Sequence, residues 1–186
     1  MNHFDFKNGL NLVLYIVKNM GGKADFIHIC KIIYFADQEH LVKYGSMISE
    51  DNYIAMKDGP VPSGIYDLLK SPNGHGAYAR WKERMSDYFV SVNSSTIEAL
   101  KEPDMDMLSK SEIECLDKSI KENAKLKYRK LSDKSHDSAY QSASRDNSIS
   151  ILKIAEAAGA DSEVIEYIKN HYEAKELSQL SFGYSD

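Results

Sequence analysis

The sequence predicts a mainly α-helical (α+β) fold, in which a single helical domain, residues 1–186, carries a small antiparallel β-sheet. Three observations lead to this prediction. Apolar residues recur at helical spacing over most of the chain, short β-branched and aromatic stretches lie only in its middle, and no repeat or low-complexity linker divides it. With 186 residues, 42% of them hydrophobic, the chain can bury a core without disulfide or metal staples.

Two helices are predicted at the start of the chain. The first covers Phe6–Asn19 and stops at Gly21-Gly22. The second follows Asp25, a residue type that caps helix N-termini, and reaches about Val42, with Gly45 suited to a left-handed C-cap. The inner stripe of this second helix is apolar apart from one aspartate, so we expect the helix to be mainly buried.

The middle of the chain changes character and predicts short strands. Tyr53–Met56 indicates a strand, residues 58–60 a turn, and Ser63 the N-cap of a helix over residues 64–70. Around Trp81 and residues 88–92, and again at 96–100, the pattern predicts two further strands.

The last third of the chain is predicted to be helical. Ser109 and Glu112 have the spacing of a capping box at the start of a helix. Further helices are expected over about residues 135–144 and 149–158, and a last one from Asp161 to roughly Leu177.

The negative charge is concentrated at the C-terminal end. Residues 1–145 carry 20 acidic and 20 basic side chains, whereas residues 146–186 carry eight acidic and three basic ones, so the net charge of −5 belongs to this acidic C-terminal helical part. Such a surface either speeds the encounter with a basic partner or is a solvated helix face. Because the chain has no basic excess, nucleic acid is not an expected partner.

Localisation is predicted from what the sequence does not contain. No secretory signal pattern is visible, and the longest apolar stretches, about residues 10–17 and 26–36, are too short to cross a bilayer. Cys30 and Cys115 are far apart and outside any C-x-x-C pair, which is typical of a reducing compartment. We expect a cytoplasmic protein without membrane contact, whose cysteines are either small buried hydrophobes or, at one position, a catalytic thiol.

The histidines raise the question of catalysis or metal binding. His40 follows Asp37 by three residues, which allows these two side chains to share a helix face, and together with His28, near Cys30, they are the candidates for a metal site. Residues 135–137 place serine, histidine and aspartate side by side, but catalysis depends on their geometry and not on adjacency, so His136 is either catalytic or a structural hydrogen-bonding group. No P-loop, zinc-protease or nucleophile-elbow motif occurs. We expect no enzyme activity, no metal and no cofactor.

Gly59-Pro60-Val61-Pro62, hereafter the corner, is the most distinctive local feature. Its glycine allows positive φ, while its prolines fix φ and hold the valine between them extended. The corner is either a scaffold that sets the angle between strand and helix or a recognition surface that loses little entropy on binding. Tyr53, Tyr66 and Tyr78 around it either offer contact area with a polar end or cover the small sheet.

Four motifs of this region resemble a known family. They are Lys31-Ile-Ile-Tyr-Phe-Ala-Asp37, His40-Leu-Val-Lys-Tyr-Gly45, Tyr53-Ile-Ala-Met56 and Gly59-Pro-Val-Pro-Ser-Gly-Ile-Tyr66. In this order and separation they resemble the Panacea domain, the family of SocA-like antitoxins and phage-associated GepA-like proteins.

The resemblance continues into the second half of the chain. Asp104-Met-Asp-Met-Leu-Ser109 with Glu112, and Leu131-Ser-Asp-Lys-Ser-His136 with Tyr140, are similar to the second half of the domain. It therefore covers about residues 5–145. The chain departs from the family pattern at Tyr140, where tryptophan is usual, and it has no room for the separate helix-turn-helix module that some relatives have.

This resemblance implies an antitoxin of a bacterial, phage or prophage toxin–antitoxin system, which neutralises a cognate toxin by direct protein–protein binding. One branch of the family also delivers its toxin to a protease, and no residue of this sequence carries that adaptor role over. The predicted partner-binding residues combine the corner with its neighbours and with two later supports: Tyr53, Met56, Lys57, Gly59, Pro60, Val61, Ser63, Tyr66, His136 and Tyr140.

The alternative is a DNA-binding transcriptional regulator that represses its own promoter. Residues 63–100, a helix followed by two strands, fit a winged helix. Against this alternative, Arg80, Lys82 and Arg84 cluster near Trp81 and not along a capped recognition helix.

Overall fold

Nine α-helices and five strands form the part of the chain that the computed structural model describes, namely residues 4–75, 79 and 82–182, with side chains up to 178. Tyr78, Arg80 and Trp81, which carry sequence predictions, lie outside the described residues. In chain order the elements are α1 (Phe6–Asn19), β1 (Lys23–Asp25), α2 (Phe26–Tyr44), β2 (Tyr53–Met56), β3 (Gly59–Pro62), α3 (Ser63–Lys70), α4 (Lys82–Met85), β4 (Phe89–Asn93), β5 (Thr96–Ala99), α5 (Lys110–Asn123), α6 (Tyr128–Ser135), α7 (Ser138–Gln141), α8 (Ile151–Ala157) and α9 (Ser162–Phe182).

The first two helices confirm their predictions. Helix α1 has the predicted bounds, and α2 is capped by Asp25, whose carboxylate accepts a hydrogen bond of 3.0 Å from the His28 amide. Gly45 ends α2 in the left-handed region, with φ of 73°. Helix α2 is buried along much of its length, and it runs through the centre of the molecule with the other elements packed around it.

Strands β1, β5 and β4 form an antiparallel sheet in that order. Strands β4 and β5 confirm the two predicted strands, whereas β1 was not predicted because its three residues are too few for an alternating pattern. Without the β2–β3 hairpin and the short α4, the chain order is helix, strand, two helices and two strands, with the last strand in the middle of the sheet. This is the connectivity of a winged helix, in which α3 takes the place of the recognition helix and the β4–β5 turn that of the wing.

The β2–β3 hairpin is inserted between α2 and α3 and corrects the predicted turn. Gly59 and Pro60 belong to β3, in register with Met56 and Ala55, and the turn lies one residue earlier, at Lys57 and Asp58. The two prolines obscured this strand because proline cannot donate to a ladder, and it is tolerated where the strand lies at an edge.

A later segment supplies a third backbone partner to this hairpin. The Ala55 amide donates to the carbonyl of Asn147 at 2.9 Å, and the Ile149 amide donates to the carbonyl of Tyr53 at 2.8 Å. Residues 146–149 therefore lie along the free side of β2. This pairing could not be foreseen from the sequence, because its partners are almost a hundred residues apart.

The helix predicted over residues 135–144 is wrong. Helix α6, which the sequence did not predict, ends at Ser135, and α7 begins at Ser138. The carboxylate of Asp137 caps α7 by accepting hydrogen bonds from the amides of Ala139 and Tyr140, so the chain must break between the two helices. Helix α9 extends to Phe182, beyond the predicted end at Leu177.

Two clusters of buried apolar side chains lie on either side of α2. One joins α1, α2, α3, α5 and the three-stranded sheet. The other joins Tyr34 and Leu41 of α2 and Tyr53 of β2 to Ile154 of α8 and Ile168 of α9. The helices after residue 145 thus share buried contacts with the central helix. Among the described residues, no helix is both long and apolar enough to cross a membrane.

Candidate partner-binding site

A buried carboxylate of α2 fixes the start of the hairpin. Asp37 has no exposed surface, and it accepts hydrogen bonds from the amides of Ile48 at 2.7 Å and Ser49 at 3.0 Å, from the Ser49 hydroxyl, and from the Tyr53 hydroxyl at 2.7 Å. Burial raises the pKa of Asp37, and these donors oppose the rise. Tyr53 is 1% exposed and is held by this carboxylate, so its predicted contact with a partner is corrected to a structural role.

The corner is held from the other side by Lys31. The buried Lys31 ammonium donates to the Pro60 carbonyl at 2.8 Å, and burial lowers the pKa of Lys31 to about 8. Gly59 has φ of 102°, and a Cβ atom there would overlap the Ser135 hydroxyl and lie 2.7 Å from Lys31 Nζ. Gly59 and Pro60 are buried, with the Lys31 side chain of α2 and the Ser135 side chain of α6 close to them, so their predicted place on a contact surface is corrected to a place in the scaffold.

His136 and Tyr140 support the hairpin from outside the corner. Their rings stack with centroids 4.2 Å apart, and the Tyr140 hydroxyl donates to the Met56 carbonyl at 3.0 Å. The neighbouring Asp137 accepts from the Tyr34 hydroxyl at 2.9 Å. The Ser135 hydroxyl donates to the Ser132 carbonyl at 2.8 Å, so the serine, histidine and aspartate do not form the hydrogen-bonded relay that nucleophilic catalysis needs.

Ser63 is not the N-cap that the sequence predicted. Pro62 occupies that position without a side-chain bond, and the carboxylate of Asp51 accepts from the amides of Gly64 at 3.0 Å and Ile65 at 2.8 Å. A distant carboxylate therefore satisfies the helix start, which a local sequence pattern cannot indicate. Ser63 itself is half-buried, with its hydroxyl 3.4 Å from Asp51.

Four of the ten predicted residues line one cleft of about 410 Å³: Met56, Lys57, Val61 and Tyr66. The cleft lies between the β2–β3 hairpin, the start of α2, helix α3 and the β4–β5 turn. Nine further residues, which were not predicted, complete the lining: Phe26, Ile27, Cys30, Lys31, Asp58, Lys70, His75, Ser94 and Ser95. The apolar spacing of α2 predicted that Phe26 is buried, whereas no sequence pattern indicated that the β4–β5 turn belongs to the site.

The walls of the cleft are apolar and its polar groups are mainly basic. Phe26 and Tyr66 meet edge to face with centroids 6.5 Å apart, and Lys70 lies 4.3 Å above the Tyr66 ring. Lys70 also pairs with Asp67 at 2.7 Å, whereas Lys57 is exposed and makes no ion pair within the part of the chain that the structure describes. The cleft can therefore bind an apolar group beside a negative charge.

The histidines proposed for a metal site are used elsewhere. His28 contacts Asp25 at 2.6 Å and the Leu126 carbonyl at 2.9 Å through its two ring nitrogens, and His40 contacts the Ser46 carbonyl at 2.7 Å. Over residues 4–75, 79 and 82–182, no three His, Cys, Asp or Glu side chains are grouped so that they could hold a metal ion. Cys30, which lines the cleft, is buried, and burial raises the pKa of its thiol to about 12.

Comparison with known protein families identifies a match. Residues 29–141, more than half of the chain, match the family described as "Antitoxin SocA-like, Panacea domain". No curated protein and no solved structure matches the chain. The matched range starts in α2, includes the hairpin and the whole corner, and ends with α7. It contains Lys31, Asp37 and Tyr140, which hold the hairpin, whereas residues 146–149, which pair with β2, lie outside it. The chain belongs to the SocA-like antitoxin family and carries its Panacea domain.

Proposed function

We propose that this protein is the antitoxin of a bacterial or phage toxin–antitoxin pair, and that it neutralises its cognate toxin by direct binding. Membership of the SocA-like family supports a protein partner. The observation that carries the proposal is the cleft, in which Met56, Lys57, Val61 and Tyr66 come together beside a rigid hairpin. Large apolar side chains presented by a preorganised backbone bind a partner at a small entropic cost.

Within this proposal the predicted residues divide into two groups. The four cleft residues and the adjoining Ser63 meet the toxin. The others make the contacts that fix the position of the hairpin: Tyr53, Gly59, Pro60, His136 and Tyr140.

The test is co-expression with the product of the neighbouring reading frame. The antitoxin should restore growth that the neighbour's product alone arrests, and the two proteins should co-purify in a fixed ratio. Replacing Tyr66 by Ala should abolish both effects, while replacing the exposed Tyr44, which does not line the cleft, by Ala should leave them unchanged. Growth arrest that this chain never relieves would refute the proposal.

The winged-helix connectivity favours a second candidate, a DNA-binding regulator. In such folds the recognition helix and the wing face DNA. Here both face the cleft, and the inserted hairpin lies across from them. Residues 89–99 contain no lysine or arginine, and Lys70 of α3 is paired with Asp67.

A gel-shift with the protein's own promoter region distinguishes the two candidates. We expect no shift even below physiological salt, where phosphate contacts are strongest. A sequence-specific shift at low salt that Lys70→Ala abolishes would favour the regulator.

A further inference from the structure

We propose that the cleft takes an extended segment of the toxin in which an acidic and a large apolar side chain project from the same face. This proposal rests on the antitoxin function and names the chemistry of the partner at the same cleft. It follows from the shape of the cleft, from the distribution of its apolar groups and from its unbalanced charge.

The size of the cleft sets the kind of segment that fits. A volume of about 410 Å³ lies in the range of pockets that hold small ligands or a few side chains. A helix with its side chains is about 10–12 Å across, which is too wide for such a space unless most of it stays outside. An extended chain presents alternate side chains to one surface, so it can place two of them in the cleft while its backbone follows the rim.

The apolar wall provides the anchor for one of these side chains. Phe26 is buried and packs edge to face with Tyr66, while Met56 and Val61 of the hairpin are half-buried and face the same space. Methionine adapts to irregular partners, and an aromatic pair gives a rigid surface beside it. A Leu, Phe or Trp side chain of the partner would cover these groups and remove them from water.

The charge of the cleft selects an acidic residue for the second side chain that enters it. Lys57, Lys70 and the buried Lys31 contribute cationic groups, and Asp58 is the acidic group of the lining. The Asp58 carboxylate forms no ion pair with Lys57, and the exposed Lys57 has no ion-pair partner within the part of the chain that the structure describes. A carboxylate on the partner would supply one.

The shape of the site distinguishes this partner from a nucleic acid. A phosphate backbone is bound by a basic stripe open to solvent, whereas here the hairpin faces α3 and the β4–β5 turn across a space walled by apolar groups. The inserted hairpin thus forms a wall opposite α3 and the β4–β5 turn, and the cleft between them fits side chains rather than a duplex.

The first experiment reverses the charge of the cleft. The double variant Lys57→Glu, Lys70→Glu should bind the intact toxin roughly tenfold more weakly or worse, with a smaller salt dependence. The matched control, Lys110→Glu with Lys121→Glu, changes the same charge at exposed positions of α5 and should bind like the unmodified protein. If the cleft variant also binds like the unmodified protein while growth is still rescued, the cleft proposal fails and the antitoxin function stands. If the unmodified chain rescues nothing, the function itself fails.

The second experiment identifies the bound segment. Overlapping short peptides that cover the toxin sequence are immobilised and incubated with the unmodified protein and with the double variant. Peptides that combine acidic and large apolar residues should bind the unmodified protein and lose binding to the variant. The proposal is overturned if only basic or uncharged peptides bind, if no peptide binds although the intact toxin does, or if the variant loses binding to duplex DNA and not to the toxin.

Discussion

The Lys31 ammonium donates a hydrogen bond of 2.8 Å to the Pro60 carbonyl, deep in the protein. This bond joins the central helix α2 to β3, the strand that contains the corner. A lysine is rarely buried unless it is paired, because its charge loses the solvation of water. The bond therefore ties the position of the hairpin, and with it one wall of the cleft, to the charge state of one amine.

The pH dependence of the free energy of unfolding should show the lowered pKa of the Lys31 amine. Burial lowers the pKa of Lys31 from 10.5 to about 8, so between these values the unfolded chain binds a proton that the folded chain releases. Stability conferred by this residue must then rise with pH across that window, by at most about 1.4 kcal/mol per pH unit. Urea unfolding at a series of pH values should show the unmodified protein gaining stability relative to Lys31→Met. Lys110→Met, at an exposed position, should show no such trend, and parallel curves for all three proteins would contradict the assignment.

Gly59 should tolerate no side chain. With φ of 102° and the Ser135 hydroxyl and Lys31 ammonium in the space of a Cβ atom, Gly59→Ala combines backbone strain with a steric clash. We expect a loss of about 2 kcal/mol or more in the free energy of unfolding, measured by denaturant titration. Gly74 is the matched control, since its φ is 77° but no atom lies within 4 Å of a Cβ there, so Gly74→Ala should lose only about 1 kcal/mol. If both variants lose the same free energy of unfolding, the side chains around Gly59 move to make room for the added methyl group, and the predicted clash is wrong.

The elements that could be predicted from the sequence are those with a local cause. Helix α1 has a periodic apolar face, and α5 has the capping box of Ser109 and Glu112. The elements that were missed depend on distant partners: β1 needs β5, and the break before α7 needs Asp137 to be engaged by the Tyr34 hydroxyl of α2. A single sequence does not show such contacts.

The candidate site was predictable to a similar extent. The motif around the corner led to the hairpin, and four of its residues do line the cleft. The sequence could not distinguish these from Tyr53, because alternation along β2 points successive side chains to opposite faces and Asp37 on another element decides which face is buried. The opposite wall, with Ser94 and Ser95, lies in a polar turn without any distinguishing pattern.

Asp37 should be essential to the fold rather than to binding. It is fully buried and accepts hydrogen bonds from two backbone amides and two hydroxyls. Asp37→Asn replaces one acceptor oxygen by a donor that faces other donors, so we expect a loss of about 3 kcal/mol or more in the free energy of unfolding. Asp87→Asn, at an exposed position, should be close to neutral. The assignment is refuted if the stability of Asp37→Asn matches that of the unmodified protein.

A substitution at Val61 should weaken toxin binding without unfolding the protein. Its side chain is half-buried at the edge strand β3 and lines the cleft, so Val61→Asp places a carboxylate among the apolar groups while water can still reach it. The charge also repels the acidic segment proposed for the toxin. We expect toxin binding to weaken roughly tenfold or more, and growth rescue to be lost, while thermal unfolding remains cooperative.

The control is Val92→Asp. Val92 is 48% exposed on β4 and is not part of the cleft, so this variant should retain both toxin binding and growth rescue. Isothermal titration with purified toxin measures the affinities, and circular dichroism shows whether each variant is folded. If a folded Val61→Asp variant keeps its affinity, the toxin is bound at another surface, and the acidic face of α9 is then the next surface to test, because Glu163, Glu166 and Glu173 are exposed there.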